Sequence, residues 1–398
     1  MGVITTFEQF LVRILQILFW LLLLIPMILT PIILLILPYF DISSLYPLVP
    51  FKERVDYNQF LKFLMDPTLV FPYLGDWMKT DFFKVVIFPG FTFAALFSGV
   101  IITWWERKFL SKVHNRYGPV YAGKFGGILQ SIADLFKLLF KEIIIPERVD
   151  KLFFFMAPMG TLAISGALLA LIPLGPSTYI ARSNLSLLLI FAVLGFYPIV
   201  VLLASWASAN KFSFIGGLRS LHQLVSYEIP LLLSVLGIVI MAGSLDLIRI
   251  VEAQVSLWFL IPQFLGAIVF IIATLAELER IPFDLPEADT EIVAGWLTEY
   301  SGMLFAIIQL AAYLKFYALS ALFTVLFLGG WHGPIFLPPE AWTIIKVFLV
   351  MSFLMLIRGS MPRIRIDQLI RIGWVWLITI ALINLFIALF IYSMGVKF

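Results

Sequence analysis

The sequence has no cysteine, three histidines and few charges, and each shortage closes off a class of function. Without thiols the chain holds no disulfide, no thiolate zinc site and no cysteine-ligated iron–sulfur cluster. Any redox centre it serves therefore sits in a partner. His114, His222 and His332 lie far apart and show no ligand spacing, so no metal site is expected. Charged residues make up 13% of the chain, against about a quarter in soluble domains. A net charge of +3 is too small to point to nucleic acid. What remains is apolar: 62% of residues are hydrophobic and the mean hydropathy is +1.04. Such a chain needs lipid as its solvent, and in lipid every backbone polar group must be satisfied within its own segment, so long apolar runs read as helices.

Nine runs approach the length of about 20 helical residues needed to cross a hydrocarbon core. They are 10–38, 82–105, 152–173, 185–206, 228–243, 257–276, 303–328, 340–357 and 372–395, and 228–243 is the shortest. Pro26 and Pro31 lie within the first, which has no small-residue cleavage site and is expected to remain as a kinked span. The connections 106–151, 207–227, 277–302 and 358–371 carry sixteen lysines and arginines, whereas 174–184, 244–256 and 329–339 carry only Arg182 and Arg249. By the positive-inside rule the first set faces the cytoplasm or its organelle equivalent. The polar segment 41–81 then falls outside, although it carries four bases.

The dense polar motifs fall on the inner side. Glu106 to Pro119 reads ERKFLSKVHNRYGP. Lys108 and Lys112 suit a positive-inside anchor, while Glu106 and Arg107 stand at the lipid boundary as an acid and a base able to line the mouth of a cavity, with Arg116 following. In Gly126 to Glu142, apolar residues recur at helical spacing and Gln130, Asp134, Lys137 and Lys141 form a polar stripe. That pattern predicts an amphipathic helix, lying in the membrane plane or packed on a partner. Glu228 precedes Pro230, which suits the first turn of a helix. It serves there either the helix dipole or a function, since a carboxylate at the entry of a span is a functional candidate.

Ala276 to Gly302 is the richest segment: Glu277, Glu279, Asp284, Glu287, Asp289, Glu291 and Glu299 face one base, Arg280. Asp284 and Glu287 have capping-box spacing, and a helix starting there would stack Glu287 and Glu291 on one face. Carboxylates buried together titrate as a coupled set, which makes a proton-holding device; the same acids would also suit a lid gripping a basic partner. Lys315 lies about 18 Å into the span from Met303, near mid-bilayer, and is expected to meet a polar cavity, an acid or backbone carbonyls.

These motifs closely resemble subunit 1 of respiratory complex I, including its plastid and cyanobacterial counterpart. The likeness runs from about Phe82 through ERK with RYGP, ADLFKLLFKE, NKFS with LRS and SYE, ERIPFDLPEADTE with TEYSG, and MPRIRIDQLIRIGW. The resemblance implies an all-α polytopic integral membrane protein with eight core helices over 82–398, beside the interfacial helix. Residues 1–81, with one additional N-terminal transmembrane helix, have no counterpart in it. The same resemblance implies a quinone cavity near Glu106, Arg107 and the amphipathic helix, made with hydrophilic iron–sulfur and quinone-site subunits. It implies a carboxylate path through Glu228, Asp284, Glu287, Asp289, Glu291 and Glu299 toward antiporter-like pumping subunits and small membrane subunits. Quinone is then a substrate, nothing is bound covalently, and clusters and nucleotide belong to partners in an energy-transducing membrane, prokaryotic plasma membrane or thylakoid or organelle inner membrane. Three positions depart from the pattern: His114 for a common Gln, Asp289 for a common Glu, and Ala312 where many members carry an acid. Alternatives are a membrane module of a hydrogenase or ferredoxin-driven complex and, from another class, a secondary transporter, whose internal repeat is not seen.

Overall fold

The computed structural model describes residues 97–123, 126–176, 179, 181–333 and 339–394. The additional N-terminal span at 10–38 and the segment 41–81 lie outside the described residues, as does most of 82–105. Every regular element described is helical. A π-helical turn, Phe97–Ile102, leads into α1, Thr103–Val113; α2 is Leu129–Phe140 and α3 is Lys151–Leu171. The next span is α4, Ser186–Leu194, and α5, Tyr197–Ala207, followed by the long α6, Lys211–Ala242, and the short α7, Leu247–Glu252. Then come α8, Phe264–Glu277; α9, Asp289–Ile292; α10, Gly302–Phe327; and α11, Pro339–Ser360. The last span joins α12, Ile366–Arg371, through a π-helical stretch, Ile372–Leu377, to α13, Ile378–Ser393.

Among the described residues six helical segments are long and apolar enough to cross a membrane: α3, α4 with α5, α6, α10, α11, and α12 through α13. The chain is a polytopic membrane protein. α8 is apolar but has 14 residues, about 21 Å at 1.5 Å per residue, and so is shorter than the run 257–276 suggests. Residues 257–263 are not part of it: the Leu260 amide bonds the Phe327 carbonyl, which draws the chain sideways across the end of α10.

α10 lies at the centre, packed against α3, α11 and α2, and almost every side chain from Leu314 to Phe327 is buried. A helix apolar all round is a core helix, which is why α10 shows no amphipathic face in sequence. α6 corrects the predicted boundary at 227/228. The helix starts at Asn210, whose side chain accepts from the Phe212 amide at 3.0 Å, and ends at Gly243 with φ of 64°. Its small and polar residues lower hydropathy over 213–226 because they face protein, not water. Gly216 lies against the backbone of Gly295, Gln223 donates to the Ala276 and Phe283 carbonyls, and the Tyr227 hydroxyl donates to the Leu369 carbonyl. Glu228 consequently sits midway along a 32-residue helix, with Pro230 inside it, and not in a first turn.

Candidate functional site

The site is built around the end of α8 and the segment 278–301 that follows. That segment folds inward on aromatic anchors. Tyr300 stacks on Phe154 of α3 at 4.3 Å, Phe283 meets Tyr227 of α6 edge-on at 5.1 Å, and Trp296 and Leu297 join the core formed by α3 and α5. Two close backbone approaches fix its path. A Cβ on Gly295, whose φ is 56°, would overlap the Pro286 carbonyl, and one on Gly216 would lie 2.6 Å from the Gly295 Cα. Asp284 and Leu285 are irregular, Pro286 and Glu287 form a turn and α9 has only four residues, so the predicted capping box and the shared face of Glu287 and Glu291 do not form. The aromatic anchors and the Gly295 turn take precedence over the local helical pattern.

Beneath this segment lies a cavity of about 180 Å³, lined on its polar side by Glu277, Glu279, Arg280, Asp284, Glu287, Lys315 and Arg358. Lys315 lines the cavity and meets both an acid and a backbone carbonyl. Its Nζ donates to Glu277 Oε1 and to the Glu277 carbonyl, each at 2.8 Å, and lies 3.5 Å from the centre of the Tyr197 ring. Both side chains of this pair are 2% exposed, so either alone would be an uncompensated charge in a low dielectric. Glu279 is buried, bonded to the Ser220 hydroxyl, and held at φ of 52°, a left-handed conformation uncommon outside glycine. Burial raises its carboxyl above the usual range. Burial also pushes the Glu287 carboxyl up to about 8, helped by the charges of Glu279 and Asp284.

Glu106 belongs to the same buried cluster. Its carboxylate accepts from Arg280 at 2.6 Å and from Arg358, while the Arg280 guanidinium lies over Tyr313 and Phe316 at 5.0 and 5.6 Å. Burial opposes ionisation of Glu106, but the two guanidiniums outweigh it and keep its pKa below the ordinary value. Its sequence neighbour Arg107 points elsewhere and pairs with Asp134 of α2 at the surface. Consecutive helical positions lie about 100° apart, so the predicted adjacent acid and base face different surroundings. Arg116, Lys137 and Lys141 are exposed and do not reach the cavity. α2 keeps its predicted amphipathic form, with Ser131 bonded to Thr103 of α1 and Phe136 and Phe140 exposed and stacked.

Glu291 and Glu299 also lie off the cavity. They fasten the acidic segment to α6, through Arg219 and Asn210. The Asp289 side chain lies outside the described residues. Glu228 abuts the break between α4 and α5: a Cβ on Gly195 would lie 2.9 Å from its Oε1. It interacts electrostatically with Lys315 and Glu277. Ala312 lines the cavity as well. The arginines of the site, Arg280, Arg358 and Arg363, are absent from the candidates chosen by sequence; Arg363 pairs with Asp284 at 2.6 Å. In sequence the last two read as positive-inside markers, and their partners are far along the chain.

The profile of the NADH dehydrogenase family matches residues 85–389. An NADH-quinone oxidoreductase subunit of Geobacillus sp. is 43% identical over 318 residues, covering 78% of this chain and 96% of the relative. The proteins of the same name from Anoxybacillus flavithermus and Bacillus mycoides are 44% and 45% identical, over 71% of this chain and 86% of each relative. The matched span includes α1, the acidic segment and the arginines beyond α11, so the whole site lies inside it, and the chain belongs to the NADH dehydrogenase family.

Proposed function

We propose that this chain is the membrane subunit of a proton-pumping NADH-quinone oxidoreductase of an energy-transducing membrane. It forms the quinone cavity with hydrophilic partner subunits and couples quinone reduction to proton translocation. Nicotinamide nucleotide and iron–sulfur clusters reside in those partners, in keeping with a chain that has no cysteine. The observation that carries the reading is the buried cavity itself. Four carboxylates and three cations converge there at the inner end of the bundle, where a segregated set of titratable groups has no packing purpose.

In this reading α2, with its exposed phenylalanines, borders the entry for an amphipathic quinone, and Arg107 and Asp134 hold it to α1. Reduction of the quinone creates a proton demand at the inner face. The cavity acids answer it and pass the charge change inward through the Glu277–Lys315 pair and Glu228 toward pumping subunits. The chain performs no redox chemistry by itself. The test is Glu228→Gln and Glu287→Gln in the assembled complex. Proton pumping and quinone reduction are expected to fall together, by about tenfold or more, as for removal of a positioned proton carrier. Normal pumping in both variants would remove the proton path.

A further inference from the structure

Within that reading the cavity carboxylates are not equivalent. Among the described residues four cations serve the cluster: Arg280, Arg358 and Lys315 from the cavity wall, and Arg363 reaching Asp284. Arg280 and Arg358 share Glu106, Lys315 holds Glu277, and Arg363 holds Asp284. These pairings engage all four cations and leave Glu279 and Glu287 with no ion pair among the described residues. The doubled guanidinium on Glu106 leaves one positive charge over, enough for one of the two as a carboxylate. The other is then neutral, because two like charges in a small buried cavity cannot both be supported.

Geometry decides which is which. Burial disfavours ionisation of Glu279 as it does that of Glu287, but Glu279 also accepts the Ser220 hydroxyl and feels the Lys315 charge, and both of these favour its ionised form. Its left-handed backbone shows that the surroundings hold this side chain in place against local preference. Glu287 makes no hydrogen bond or ion pair among the described residues and faces the charges of Glu279 and Asp284. Arg280 and Arg358 act on it too, but each turns its Nη1 to Glu106 and neither forms an ion pair with Glu287 among the described residues. From α10, Tyr313 is drawn to the Glu106 cluster, and Tyr197 of α5 is covered by Lys315. Glu228 of α6 acts on the Glu277–Lys315 pair. None of these supplies Glu287 with a free cation.

We propose that Glu287 is the carboxyl that carries the exchangeable proton of this cavity, and that Glu279 is a positioning residue whose negative charge keeps the proton there. The assignment rests on the proton-path reading but fails separately from it. The probe is infrared difference spectroscopy of the intact complex in its membrane, following the carbonyl stretch of a protonated carboxyl from neutral to alkaline pH. In the native complex a carboxylic band is expected to disappear with a midpoint of about 8. Glu287→Gln should abolish it. Glu279→Gln should lower the midpoint by about one unit, a tenfold easier ionisation. Glu279→Asn, which suits a left-handed backbone, should do the same even if the Gln variant assembles poorly. A band that survives Glu287→Gln, or a midpoint unmoved in both Glu279 variants, overturns the assignment. If pumping is lost in those variants while the band is unchanged, the path stands and this proton lies elsewhere. If the band behaves as expected but pumping is untouched, the proton is placed and the coupling reading falls.

Discussion

At the scale of single residues, two buried lysines show two ways of satisfying a deep charge. Lys315 meets a carboxylate, whereas Lys346 on α11 donates to the carbonyls of Leu328, Gly330 and His332 and lies over Trp258. Lys346 thus satisfies the frayed end of α10, as a cation at a helix C-terminus does. We predict that Lys315→Met leaves Glu277 uncompensated, at a cost of about 3–5 kcal/mol, and depresses coupled turnover. Adding Glu277→Gln should restore much of the stability without restoring pumping. Lys346→Met should lower the melting temperature while turnover per assembled complex stays near normal. Pumping at the native rate by Lys315→Met across the pH range would make that lysine structural only. The depth of Lys315 was legible from its place in an apolar run, because depth needs only a count of residues. Its partner was not legible, since 38 residues separate Glu277 from it and no local rule links them.

At the scale of elements, the boundaries that sequence misplaces are those where polarity serves packing. The 213–226 stretch of α6 has the composition of a solvated connection, yet Gly216, Ser220 and Gln223 are spent on the acidic segment and on α8. The capping-box spacing at Asp284 and Glu287 is a local signal that tertiary contacts override. α2 was readable because an amphipathic stripe is a local pattern that needs only helical spacing. The contact of Gly216 with Gly295 offers a direct check. Gly216→Ala would press a methyl group to within 2.6–2.8 Å of backbone atoms of Gly295 and Trp296. Overpacking of this kind costs about 1–3 kcal/mol. We expect a lower melting temperature and lower quinone reductase activity, since the displaced backbone carries the cavity acids. A silent substitution, measured by thermal unfolding of the purified complex, would show that helix and segment do not touch.

For the whole molecule, the broad architecture was open to reading from composition, because a chain this apolar has few ways to satisfy its backbone in lipid. The meeting of α1, the acidic segment and α11 over one cavity was not, because three distant stretches supply it. The membrane face gives a further prediction. The Arg107–Asp134 pair is partly exposed, and such pairs contribute about 0–1 kcal/mol, so Arg107→Ala should barely change stability. It should raise the quinone KM several-fold while electron entry to an artificial acceptor stays intact, since only the seating of α2 at the proposed entry is loosened. Equal loss in both assays would indicate misassembly.

The fastening of the acidic segment to α6 has a mechanical consequence. It is gripped at Glu299 by Asn210, at Gly295 by Gly216 and at Glu291 by Arg219, three points along about two and a half turns of one rod. The same rod carries Glu228, nine residues beyond Arg219, so the segment and that carboxylate form a single splinted body. Under the proposed function, a displacement of the segment would tilt the rod and move Glu228 with it, so that a push on one end of the rod becomes the motion of a charge further along it.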